Sequence, residues 1–169
     1  MERFTHILNK VTVESKDNGK EFVITKRVDT IKDILKDCSY SLIYEGKLSL
    51  IYAKRKPAQG EKVILISSHI DSLFSHCFCS DEGEYFKGTF DNSYTNAALL
   101  WNMLYGDLSD NVVIAFTGDE EVDSRGAIET VCAMGIMQCA IAFAIVLDVT
   151  EEGWGNAATF TVENDLGLD

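Results

Sequence analysis

Val112-Val113-Ile114-Ala115-Phe116-Thr117-Gly118-Asp119-Glu120-Glu121 decides the fold of this chain. Val112 to Phe116 is an unbroken apolar run, too short for a helix and without polar alternation. Such a run is a strand buried on both faces, as in the parallel sheets of α/β proteins. Gly118 ends it, and three consecutive acids follow. A parallel sheet delivers its ligand-binding groups at such strand ends.

The same pattern recurs on either side. Downstream, residues 125–137 form a helix rich in Ala and Met, and Ala140 to Leu147 is a third buried strand ending at Asp148. Upstream, Asp91 to Tyr105 has a polar start and then Ala97, Leu100, Trp101 and Leu104 at helical spacing. Before it, Val63 to Ser67 is an apolar strand that ends at His69. Strand, helix, strand, helix, strand implies right-handed crossovers, a largely parallel or mixed sheet, and helices on both its faces. The crevice of such a sheet lies outside the carboxyl ends of its strands, where His69, Asp71, Glu120, Glu121 and Asp148 all fall.

Nearer the amino terminus, residues 30–37 place Ile31, Ile34 and Leu35 three and four apart behind Asp29 as a cap, which predicts a helix. Ser41 to Tyr44 and Leu48 to Ala53, separated by Glu45-Gly46-Lys47, predict a hairpin. Pro57 is the only proline, and no repeat or linker-like tract occurs. With 169 residues the chain reads as one α/β domain spanning 1–169.

A net charge of −12 argues against nucleic acid and against an anionic membrane surface as partners. The apolar stretch Ala140 to Leu147 is far short of the roughly 20 residues of a membrane span. Five cysteines, Cys38, Cys77, Cys79, Cys132 and Cys139, form no disulfide framework by number or spacing, and the first residues lack a secretory leader's apolar core. A reducing, cytoplasmic setting is the expectation.

Four polar clusters follow the apolar runs: Ser67-Ser68-His69-Ile70-Asp71, Gly88-Thr89-Phe90-Asp91-Asn92, Gly118-Asp119-Glu120-Glu121 and Leu147-Asp148-Val149-Thr150. A lone His-x-Asp pair is most often structural. Here Asp71 can accept the second N–H of His69 and fix its tautomer, as carboxylates do behind metal-bound histidines. Asp91 is either a helix cap or a carboxylate free to bridge two cations about 3.5–4 Å apart. Glu120 and Glu121, with Asp119 before and Asp123 after, crowd negative charge in a way that a divalent cation relieves. One of the two glutamates would stay unligated as a base while the other binds metal. Asp148 either caps the following turn or is a ligand. A fifth cluster, Ser75-His76-Cys77-Phe78-Cys79, lacks the four regularly spaced ligands of a closed zinc site. No separate histidine is placed to make a nucleophile of its cysteines.

From about Glu61 to Thr150 these residues resemble the co-catalytic dinuclear zinc aminopeptidases and their carboxypeptidase and deacylase relatives. The match is His69-Ile70-Asp71, Asp91-Asn92, Glu120-Glu121 and Leu147-Asp148-Val149-Thr150, in the family's order, with Val122 to Ala127 resembling the segment after its Glu-Glu pair. The resemblance implies a phosphorylase/hydrolase-like α/β fold and an exopeptidase acting through a metal-activated water. It implies that His69 and Asp148 bind one zinc, Asp91 bridges to a second, and Glu121 binds that second ion. Glu120 would be the general base and Asp71 would orient His69. Manganese or cobalt could replace zinc, the substrate would be a peptide, and a homo-oligomer is compatible with the family. An esterase or deacylase would use the same metals.

Three features qualify that expectation. About 20 residues separate His69 from Asp91, too few for the second domain some branches insert there. The family's second metal takes a final histidine beyond the Asp148 position, and the residues after Asp148 contain none. Asp123 replaces the family's usual glycine. The expectation is a domain incomplete at its carboxyl end, weakly active or inactive as it stands, with a metal-binding, scaffolding or assembly role as the alternative.

Overall fold

The computed structural model describes residues 2–14, 16–17, 21–22, 25–74 and 76–149. Ser75, Thr150 and residues 151–169, which entered the sequence reading, lie outside them. The chain opens with helix α1 (Glu2–Val11) and a pair of two-residue strands, β1 (Lys16–Asp17) and β2 (Glu21–Phe22). Helix α2 (Thr25–Leu35) and the strands β3 (Ser41–Glu45), β4 (Ser49–Ala53) and β5 (Lys62–His69) follow. A small hairpin, β6 (Cys79–Asp81) with β7 (Phe86–Gly88), leads to helix α3 (Ser93–Tyr105). Strand β8 (Val112–Thr117), helix α4 (Arg125–Ile136) and strand β9 (Ala140–Leu147) complete the described chain.

The main sheet has the order β3-β4-β8-β5-β9. β8 is its middle strand, antiparallel to β4 and parallel to β5, and β9 is parallel to β5. All six residues of β8 are buried, as its unbroken apolar run predicts. Alternation splits them between two cores. Val112, Ile114 and Phe116 pack under α1, α2 and α3 with Leu8, Ile31 and Leu100. Val113 and Ala115 pack under α4 with Ile51, Val63, Ala133 and Met134. Each large apolar side chain buried this way contributes about 1.5–3 kcal/mol. The result is a three-layer α/β fold with a mixed sheet.

From β5 the chain moves through α3 to β8, then back through α4 to β9 on the far side of β5. Crossovers of one hand that run in opposite directions put their helices on opposite faces. That reversal leaves the carboxyl ends of β5, β8 and β9 side by side.

Three sequence expectations need correction. The helix expected at 30–37 starts at Thr25, because Val28 also packs against the core and extends the apolar stripe of Ile31 and Leu35 by a turn. Asp29 therefore lies inside it and is not its cap. Helix α3 starts at Ser93 with Asn92 at the cap position, so Asp91 is not the cap either. Finally, β9 is a strand but not a buried one. Among the described residues it pairs with β5 alone, at the edge of the sheet, and α4 covers only its beginning; Val146 is 74% exposed and Phe143 44%.

Candidate metal centre

His69 is the last residue of β5, paired across to Thr117 of β8, and the next step is held by Ile70 N–H donating to Thr117 O at 2.7 Å. Its imidazole is buried. Asp91 arrives from the segment before α3, Asp148 directly after β9, and Glu120 with Glu121 from the turn after β8. Around His69 Nε2 lie Asp91 Oδ1 at 3.1 Å, Asp148 Oδ1 at 3.3 Å and Glu120 Oε2 at 3.9 Å. Asp71 Oδ1 lies 3.5 Å from the other ring nitrogen, Nδ1. All six residues singled out in the sequence meet at one place.

The turn after β8 sorts its acids. Asp119 adopts a left-handed backbone, φ 69°, and turns its buried carboxylate to Arg125, whose Nε and Nη2 donate to it at 2.5 and 2.8 Å. Its charge is thus balanced by arginine, where the sequence reading had counted it among the anions a metal must relieve. Glu121 N–H donates to Asp71 Oδ2 at 3.1 Å, which ties this turn to the segment after β5. Asp148 Oδ1 also accepts the N–H of Val149 at 2.7 Å, so its turn-capping and site-facing roles coexist.

The electrostatics follow from crowding. Burial works to lower the His69 pKa, but the carboxylates of Asp71, Asp91 and Asp148 outweigh it and raise it to about 10. Burial works to raise the Asp71 carboxyl, yet His69 and the N–H groups of Glu121 and Glu120 hold it below the usual carboxylate range. Glu120 and Glu121 are pushed up, first by burial and then by neighbouring carboxylates, against the pull of His69.

Two groups of donor atoms lie within 4.8 Å of one another: His69 with Asp91 and Asp148, and His69 with Glu120 and Glu121. His69 is common to both. Glu121 Oε1 is buried without a hydrogen-bond partner, and His69 Nδ1, Asp71 Oδ1 and Asp91 Oδ1 are buried with no well-aligned hydrogen bond, meeting only across the ring contacts of 3.5 and 3.1 Å. Buried polar atoms without partners are costly, and an imidazole among unpaired carboxylate oxygens is a donor set that fits a divalent cation. Among the described residues no cysteine joins such a group, and His76 stands 92% exposed beside Glu14.

The residues that hold the site were not recognised from the sequence. Asn96 Nδ2 donates to His69 O at 2.7 Å and Ser68 Oγ donates to Asn96 Oδ1 at 2.9 Å. Asn92 Nδ2 donates to Leu147 O at 2.8 Å, and Thr95 Oγ1 contacts Ser68 Oγ at 3.0 Å. Together they fasten the ends of β5 and β9 to the first turn of α3. Their signal was Asn92, Thr95 and Asn96 at spacings of three and four, a polar stripe at the buried start of an otherwise apolar helix. Arg27 was also missed. It is buried behind the site, within electrostatic reach of Asp71 and Asp91, and no local pattern marks it.

No protein-family model matches the chain, nor does any curated protein. Among solved structures it is similar to that of LapA from Legionella pneumophila, with a TM-score of 0.56 at 15% identity over 88% of this chain and 42% of that one. A likeness at that identity speaks for the fold. The chain spans less than half the length of that protein.

Proposed function

We propose that this chain carries the metal-holding half-site of a divalent-cation hydrolase that cleaves amide bonds at a peptide terminus. The observation behind the reading is His69 Nε2 surrounded by the carboxylates of Asp91, Asp148 and Glu120, with buried oxygens that lack a well-aligned hydrogen bond. The nitrogen and oxygen donor set suits zinc, with manganese or cobalt as substitutes. A cation held there polarises a carbonyl and makes water more acidic.

The chain's own residues have separable tasks. Asp71 holds the imidazole from its Nδ1 side. Asp91, Asp148 and Glu121 offer carboxylate oxygens. Glu120, pushed up mainly by burial, is suited to take a proton from water and return it to the departing amine. Beside them is a cavity of about 240 Å³, lined by Ser67, Thr117, Ser124, Ala127 and Val146 as well as site residues. That is less than the roughly 300 Å³ at which small-molecule sites begin, and it suits one small terminal group.

A second reading rests on a separate observation: both donor groups draw on the same imidazole. One Nε2 serves one cation, so the chain by itself fits a one-metal domain with a scaffolding or assembly role. Assays of aminoacyl-anilide and dipeptide hydrolysis with zinc, manganese or cobalt, beside Glu120→Gln, separate the two. Turnover of about one per second or more that is abolished in the variant supports the hydrolase. Tight zinc binding without turnover supports the second reading, and equal rates in both proteins defeat the first.

A further inference from the structure

The five cysteines are all free, and their surroundings differ. Cys38 Sγ exchanges hydrogen bonds with the backbone of Tyr40, and Cys139 Sγ donates to Met134 O at 3.5 Å. Burial pushes the thiols of Cys79 and Cys139 up, which keeps them protonated and unreactive. Cys132 is exposed on α4. Cys77 is half-buried, and its Sγ lies 3.7 Å from Nη2 of Arg27.

Arg27 makes that contact unusual. Its side chain is 1% exposed, one of the largest fully buried side chains among the described residues. Nε donates to Val13 O at 2.8 Å, and among the described residues Nη2 meets only the sulfur and Nη1 has no hydrogen-bond partner. A guanidinium out of water needs oxygen acceptors, and a thiol is a weak one. A buried cation therefore turns one of its nitrogens, Nη2, to the sulfur of a half-buried cysteine, a weak acceptor. Its complement is an oxyanion built on that sulfur.

We propose that Cys77 is a site of oxidation to the sulfenic acid by a hydroperoxide, and that Arg27 receives the oxygen added to it. The sulfur attacks one peroxide oxygen, forming an S–O bond as the O–O bond breaks. The sulfur loses two electrons to the peroxide. The departing hydroxide (from hydrogen peroxide) or alkoxide (from an organic hydroperoxide) takes up the thiol proton and leaves as water or alcohol. The new sulfenic oxygen lies beside Nη2, the guanidinium nitrogen that faces the sulfur, and accepts its N–H better than the thiol sulfur does. The inference does not depend on the hydrolase reading.

The test treats the intact protein with limiting hydrogen peroxide and a dimedone probe for sulfenic acid, followed by peptide mapping. Cys77 should be labelled roughly tenfold faster than Cys132, although Cys132 is the more exposed. Arg27→Met should remove that preference, and Arg27→Lys should restore part of it. Labelling of Cys132 as fast as Cys77, or a preference unchanged in a folded Arg27→Met, overturns the proposal. Should neither variant fold, the ranking in the unaltered protein decides.

Discussion

Asp71 stands behind the His69 imidazole, its Oδ1 3.5 Å from Nδ1, while Nε2 on the opposite side of the ring faces Asp91 and Asp148. Its second oxygen accepts the N–H of Glu121 at 3.1 Å. One fully buried carboxylate thus joins the end of β5 to the turn after β8 and sets where Nε2 points. The donor atoms in front of the ring depend on a residue that would bind no metal itself.

Asp71→Asn should therefore weaken zinc binding by about 10- to 100-fold, as loss of a histidine's supporting carboxylate does elsewhere. Titration calorimetry reads this directly. An unchanged affinity would mean that the ring is held by its packing alone.

Without metal, the pH dependence of stability has a definite sign. The His69 pKa is raised from 6.5 to about 10, the carboxylates outweighing burial. The folded state then holds a proton that the unfolded state releases, so this stabilisation is full below 6.5 and disappears as pH rises through about 10. Glu120 and Glu121, raised mainly by burial, act in the same direction from lower pH. The melting temperature of the metal-free protein should fall from neutrality towards pH 10, and His69→Gln should flatten that slope. Equal slopes in both proteins would contradict the clustering. Zinc needs the neutral imidazole, so its binding should release protons, visible as a buffer-dependent enthalpy.

Glu61 gives the opposite dependence. Arg55 donates to both its oxygens, at 2.9 and 2.6 Å, and Ala58 N–H adds a third bond at 2.8 Å. These hold the carboxyl at about 2, down from 4.5, so its stabilisation is present above 4.5 and lost as pH falls through about 2. Glu61→Gln should lower the melting temperature at neutral pH and match the parent near pH 2. A gap that persists in acid would assign the effect to packing.

Gly126 is where α4 meets the sheet. A Cβ there would press on the backbone of Gly118 and on Leu48 O, both fixed by the bond from Gly118 N–H to Leu48 O at 2.7 Å. Gly126→Ala should cost about 1–3 kcal/mol in denaturant unfolding, more than the better helix propensity of alanine returns. Because Gly118 leads into Glu120, zinc affinity should fall with it. A stable variant with intact affinity would show that α4 can shift freely.

The apolar runs 63–67, 112–116 and 140–147 and their polar ends were legible because each is a short-range pattern: continuous apolar residues make a strand, and charge after them marks where it leaves the core. That was enough to name His69, Asp71, Asp91, Glu120, Glu121 and Asp148 as a set. What the sequence by itself could not determine depends on neighbours distant along the chain. The pairing of Asp119 with Arg125 needs a left-handed residue in the intervening turn. The exposure of β9 follows from its place at the edge of the sheet formed by the described residues, a matter of strand order, not of composition. Asn92 and Asn96 become clamps only once α3 lies across the ends of β5 and β9. Arg27 becomes a buried cation only when α2 closes over the segments that carry Val13 and Cys77. Local sequence sets which residues lie inside an element, through periodicity and propensity. Packing between elements decides which charges meet, because burial and Coulomb energies depend on distances that only the folded chain brings about.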